Sequence, residues 1–174
     1  MQKKLIILDL DGTMVDSVPD LTLCINEMLT TLGYITSIEL QVRNWVGNGI
    51  ERLVQRALTQ VMAQEPSALL LNRALTIFRE LYSQHNTKFS QLYPGVLHTL
   101  DELKAQGYHL ACVTNKAQCF VTPLLEAMQL TAYLTFIVAG DTLQAKKPDP
   151  SPLLHAINNF GVNLEQTVMV GDSI

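Results

Sequence analysis

Asp9 and Asp11 stand one residue apart at the end of an aliphatic run, in "LIILDLDGT". Two carboxylates at the edge of a buried segment cost several kcal/mol each unless something compensates them, so the pair points to a metal, a phosphate, or both. An aspartate can attack phosphorus to give an aspartyl phosphate, which splits a difficult hydrolysis into two displacements. A second carboxylate two residues on along an extended chain lies on the same side. There it can protonate the leaving oxygen and later deprotonate water. On this reading Asp9 is the nucleophile and Asp11 the general acid and base.

Further groups of the right kind follow three later aliphatic runs: Thr114 and Asn115, then Gly140 and Asp141, then Gly171, Asp172 and Ser173. The proline-rich "AKKPDPSP" adds Lys146 and Lys147 on a stiffened backbone. Thr114, Asn115 and Lys147 suit the equatorial oxygens of a phosphoryl group, where catalysis is mainly positioning and electrostatics. Oxygens from Asp9, Asp11 and Asp172 suit magnesium, which prefers oxygen ligands and keeps several waters. Asp141 is read as a turn residue and Lys146 as a solvated neighbour. The four histidines share no ligand spacing, and Cys112 reads as a small core residue within a strand. Trp45 is read equally as a packing residue of the helical region or as part of a substrate wall.

These groups need elements to carry them. The run before Asp9 is aliphatic on both faces, as in a strand buried in a parallel sheet. From residue 16 to 89 the apolar spacing is helical throughout: Leu21, Ile25, Met28 and Leu29 form one stripe ending before Gly33, and Leu53, Val54, Ala57 and Leu58 form another. A third long segment follows Pro66, and "TSIEL" offers a capping box from Thr36 to Glu39. After "YPGV" the pattern alternates helix and strand through "YHLACVTN", "LTFIVAG" and "TVMVGDS". That implies a parallel sheet with right-handed crossovers, whose ligands gather beyond the carboxyl ends of the strands.

The expected fold is therefore α/β, a Rossmann-like parallel sheet with an all-helical domain inserted after strand 1. The core comprises 1–15 and 90–174 and the insertion 16–89, with hinges near 14–17 and 88–92. The 174 residues, 48% hydrophobic, supply ample core material. A net charge of −4 without a basic block argues against nucleic acid. Three cysteines without CxxC spacing argue against a disulfide framework, and the apolar run before Asp9 is too short for a signal peptide or a membrane span. The expectation is a cytoplasmic protein, a monomer or weak homodimer, acting on a small phosphorylated metabolite.

"DLDGT", Thr114-Asn115, "KKPDP" and "VGDS" together resemble the haloacid dehalogenase superfamily, specifically its phosphatases with a helical cap after the first strand. Within it, "RNWVGNGIERLVQRAL" and "LYPGV" resemble the bacterial phosphoglycolate phosphatases. The resemblance implies magnesium-dependent hydrolysis of 2-phosphoglycolate, with Asp9 as nucleophile, Asp11 as acid/base and main-chain metal ligand, Thr114 and Lys147 on phosphate, and Asp172 on magnesium. It implies that Gly47, Asn48 and Gly49 help choose the substrate, glycine allowing close approach. Arg43 and Arg52 are candidates for a substrate carboxylate.

The family pattern continues past "GDS" to a second acidic residue, a helix and a strand, which 174 residues do not include. The expectation is a C-terminally truncated core, with impaired turnover and an uncovered apolar sheet face. A mutase or pyrophosphatase on the same scaffold, and a non-catalytic phosphate-binding remnant, are the competing readings. Haloacid dehalogenation is disfavoured because it does not need Asp11 as a second catalytic carboxylate.

Overall fold

A computed structural model describes residues 3–172; Ser173 lies outside them. In chain order the elements are β1 (Leu5–Leu8), β2 (Val15–Asp16), α1 (Val18–Thr31), α2 (Glu39–Arg43), α3 (Ile50–Met62), α4 (Ala68–His85), β3 (Gln91–Leu92), α5 (Val96–Ala105), β4 (His109–Val113), α6 (Gln118–Ala127), β5 (Phe136–Val138), α7 (Ser151–Asn159) and β6 (Thr167–Val170). The chain divides into two compact units, Met1–Asp16 with Gln91–Ile174, and Ser17–Ser90.

The first unit is built on a four-stranded sheet in the order β5-β4-β1-β6, every neighbouring pair parallel. Strand side chains alternate between faces, and in β1 and β4 both sets are apolar. Ile6, Leu8, Leu110 and Cys112 pack with Leu100 of α5 and Val121, Leu124 and Leu125 of α6. Leu5, Ile7, Ala111, Val113 and Val138 pack with Ala156 and Ile157 of α7 on the opposite face. This two-sided burial is what an unbroken aliphatic run requires. β6, at the edge, is the least buried strand, and its Val170 is exposed.

Between β1 and β2 the chain turns tightly, with the N–H groups of Thr13, Met14 and Val15 all donating to the Leu10 carbonyl. β2 then pairs antiparallel with β3, Val15 opposite Leu92 and Asp16 opposite Gln91. Two-residue strands leave no periodic signature, so sequence reading misses this ribbon.

The second unit is helical. Ser17 precedes α1 with Pro19 in its first turn, and Gly33 follows it with φ of 82°. Ser67 caps α4 by accepting from the Leu70 N–H. The capping box placed at Thr36 does not form: α2 begins after Ile38, whose N–H donates to Gln41 Oε1 instead. The reason is a tertiary contact: Asn26 of α1 holds Ser37 by both its N–H and its carbonyl and thereby sets where the helix can start.

Asp20 is fully buried in the first turn of α1. Its Oδ1 accepts from the Phe89 N–H at 2.8 Å, and its Oδ2 from the Ser90 N–H at 2.8 Å and the Ser90 hydroxyl at 2.6 Å. One carboxylate thus ties the two ends of the helical unit together across some seventy residues.

All three cysteines are free. Burial pushes the Cys24 thiol up to about 12, and Cys112 rises for the same reason. Cys119 alone is exposed.

Two outcomes follow. Asp20→Ala orphans three buried or half-buried donors and is expected to lower stability by about 2–4 kcal/mol, read as a shift in the urea midpoint. In native protein a thiol-reactive dye should label one cysteine per chain rapidly, Cys119, and all three after unfolding. Rapid labelling of Cys24 or Cys112 would contradict the packing described.

Candidate active site

Asp9 is the first residue past β1, and its N–H donates to the Val170 carbonyl at 2.9 Å, so the sheet's hydrogen bonding runs to the rim. Its side chain is buried and is held from two directions. The Leu10 N–H donates to Oδ1 at 2.8 Å, and Lys147 Nζ lies 2.6 Å from Oδ2. Burial pushes the Asp9 carboxyl above its ordinary value; Lys147 and the Leu10 N–H pull it down without cancelling the rise, and the Asp11 charge adds to it.

Asp11 has its own cation. Lys116 Nζ donates to both carboxylate oxygens, at 3.0 and 3.2 Å, and the lysine side chain is 3% exposed. Sequence reading singled out Thr114 and Asn115 and passed over the lysine that follows them. Charge accounting could have found it, because two carboxylates at a buried strand end need two compensating groups and Lys147 supplies one.

Thr114, Asn115 and Lys116 follow β4 directly and bind each other's loops. The Thr114 N–H donates to the Val138 carbonyl at 3.0 Å, and the Lys116 N–H to Thr114 Oγ1 at 3.2 Å. Asn115 Nδ2 donates to the Lys147 carbonyl at 3.0 Å, anchoring the loop that brings Lys147 to Asp9. The Gly140 N–H donates to the Lys116 carbonyl at 2.7 Å. A Cβ at Gly140 would collide with the Asn115 carbonyl, so this close approach of two loops needs glycine.

On the other side of β1, Gly12 has φ of 78°, and a Cβ there would fall on the Asp172 carboxylate. Asp172 therefore lies against the Asp11–Thr13 turn. Thr13 Oγ1 is buried there without a hydrogen-bond partner.

The structure thus brings Asp9, Asp11, Thr114, Asn115, Lys147 and Asp172 to one rim of the sheet. The oxygen groups expected to hold a cation are the Asp9 and Asp172 carboxylates and the Asp11 main-chain carbonyl; the Asp9 carboxylate is met by Lys147 and the Asp11 carboxylate by Lys116. Among the described residues no three His, Cys, Asp or Glu side chains form a cluster of their own. Two carboxylates and a carbonyl are all oxygen donors, and they fit a hard cation that keeps part of its water shell.

Gly47, Asn48 and Gly49 belong to the other unit, in the loop before α3. Gly47 and Gly49 have φ of 115° and 83°. Arg56 of α3 braces this loop, donating to the Trp45 carbonyl at 2.7 Å and to Asn48 Oδ1 at 2.9 Å. Sequence reading named Arg43 and Arg52 as candidates for a substrate carboxylate and did not single out Arg56. Arg43 pairs with Glu39, and Arg52 donates to Gln55. Trp45 is half-buried and lines an open pocket with Arg52, Gln55 and Arg56. Asp141 accepts from the Gln118 N–H at the start of α6, and Lys146 is exposed.

The family description "Haloacid dehalogenase-like hydrolase" matches residues 6–174. A phosphoglycolate phosphatase of Nitrosococcus oceani is 50% identical over 173 residues, which cover 99% of this chain and 77% of that protein. One of Nitrosospira multiformis is 43% identical, over 98% of this chain and 75% of its own length. A crystal structure described as a predicted phosphoglycolate phosphatase from Haemophilus somnus superposes with a TM-score of 0.92 at 38% identity, covering 99% of this chain and 78% of that one.

Gly140→Ala is expected to cost about 1–3 kcal/mol, because the atom it strikes is main chain and cannot rotate away. The loss should appear in urea unfolding together with weaker binding of inorganic phosphate, since Thr114 and Asn115 must shift. Wild-type stability in that variant would show that the two loops do not need their close approach.

Proposed function

We propose that this chain, which belongs to the haloacid dehalogenase-like hydrolases, is a phosphatase that hydrolyses 2-phosphoglycolate to glycolate and phosphate through an aspartyl phosphate at Asp9. The observation that carries the reading is the pair of strand-end carboxylates, each matched to its own lysine, at a rim that also holds Thr114 and Asn115. The substrate follows from the phosphoglycolate phosphatases to which the chain is 50% and 43% identical over nearly its whole length.

Asp9 Oδ attacks phosphorus as the bond from phosphorus to the glycolate oxygen breaks. Asp11, in its proton-bearing form, gives that proton to the departing oxygen. Water then attacks the aspartyl phosphate, its proton passes to Asp11, and the bond between phosphorus and Asp9 breaks. Thr114, Asn115 and Lys147 hold the phosphoryl oxygens throughout. Lys147 meets Asp9 and the incoming phosphate together, which lowers the repulsion between two anions that must react.

Asp9, Asp172 and the Asp11 carbonyl would hold magnesium. When bound, the ion supplies the positive charge that a phosphate dianion requires beside these carboxylates. Two lysines already offset Asp9 and Asp11, so it is Asp172 and the substrate that leave the site negative. The helical unit, through Gly47, Asn48 and Gly49, would set the preference for a small substrate. Among the described residues no helix is long and apolar enough to cross a membrane.

With magnesium present, the chain is expected to release phosphate from 2-phosphoglycolate, and Asp9→Asn to lower the rate by at least about 10³-fold while still binding inorganic phosphate. Radiolabelled substrate, quenched in acid, should leave label on wild type and none on Asp9→Asn. Substantial turnover by that variant would remove Asp9 as nucleophile and the mechanism with it.

A further inference from the structure

Asp11 has two tasks at one place, and both demand that its carboxylate face the oxygen bonded to phosphorus. General acid and base groups act within about 3 Å of the proton they move, and a displacement of about 1 Å can cost on the order of 10²-fold in rate. Something must therefore fix the direction of a side chain that ends in a freely rotating carboxylate. Lys147 is committed to Asp9. Lys116 meets Asp11 on both oxygens, at 3.0 and 3.2 Å. Contact with both oxygens sets the carboxylate's tilt and twist, whereas contact with one would leave it free to turn.

The lysine is itself held. Its N–H donates to Thr114 Oγ1, its carbonyl accepts from the Gly140 N–H at 2.7 Å, and its side chain is 3% exposed. A flexible four-carbon stem is thereby enclosed, and its ammonium becomes a fixed point.

We propose that Lys116 is a positioning residue for the acid/base step: it orients the Asp11 carboxylate toward the leaving-group oxygen and does not itself bind the phosphoryl group. The inference rests on the hydrolase reading above. It adds a third residue to the segment that follows β4, after the two proposed above to hold phosphate, and gives it a different task.

The test uses two substrates that differ in their need for a proton. The alkoxide of glycolate needs protonation to depart; p-nitrophenolate departs without it. Lys116→Met should lower kcat/KM for 2-phosphoglycolate by about 10²-fold and for p-nitrophenyl phosphate by less than about tenfold. Lys116→Gln, which keeps an N–H donor toward Asp11, should recover part of the loss on 2-phosphoglycolate. Circular dichroism and thermal melting establish folding, and if Lys116→Met does not fold, the comparison is made on Lys116→Gln against wild type.

Equal losses on the two substrates would overturn the positioning role, as would a change confined to KM, which is the mark of direct substrate binding. Unchanged kcat/KM for 2-phosphoglycolate would overturn it too. If wild type hydrolyses neither substrate, the hydrolase reading fails and this inference falls with it, an outcome plainly different from a variant that loses both equally.

Discussion

Two carboxylates at the end of a buried strand, each neutralised by a lysine from a different loop, form the constraint around which the sheet's rim is organised. A buried ion pair is poor evidence for stability, because the desolvation of both charges offsets their attraction; replacing such pairs with apolar residues is often neutral or better. Breaking one by removing a single partner costs about 3–5 kcal/mol, since the other charge is left uncompensated. Asp9 with Lys147 and Asp11 with Lys116 therefore need a surrounding structure that makes their charges tolerable.

It does so by fixing backbone. Asp9 leaves β1 still bonded to Val170 of β6, Asn115 grips the carbonyl of Lys147, and Gly140 holds the carbonyl of Lys116. Each removes a degree of freedom from a loop that carries a charged side chain, so that the entropy of ordering the site is met in folding and not at the moment of binding. The two glycines belong to the same scheme. Gly12 and Gly140 occur where a carboxylate and a peptide carbonyl come so close that any Cβ would strike them.

Most of this was legible in the sequence, and what was missed has physical reasons. β1 and β4 announce themselves because both faces are covered, so their aliphatic runs are unbroken. Asp9, Asp11, Thr114, Asn115 and Asp172 announce themselves because polar residues directly after such runs have to be compensated, and Lys147 because prolines stiffen the segment that carries it. Lys116 was overlooked because a lysine one residue further along reads as solvated, and only the depth of the carboxylate it meets explains why it is buried. The β2–β3 ribbon is too short to have a period. Thr36 has the spacing of a cap but loses to Asn26, a tertiary contact that no local pattern contains. Arg56 was missed for the same reason: its role depends on the Trp45 carbonyl and Asn48, which the fold returns to α3.

The two lysines also differ in a way that separates their work. Lys147 reaches Asp9 from a proline-bounded loop whose other lysine is exposed, and its side chain is 15% exposed. On the proposed mechanism Lys147 is shared between Asp9 and the incoming anion, and its side chain is the less enclosed of the two lysines. Lys116 sits at a strand end, 3% exposed, with both of its backbone groups bonded. A charge enclosed in that way has little freedom to follow a substrate, and its effect is confined to the carboxylate it touches. The same ammonium chemistry thus meets Asp9 from a more open loop and Asp11 from an enclosed one, and the difference comes from backbone anchoring and burial.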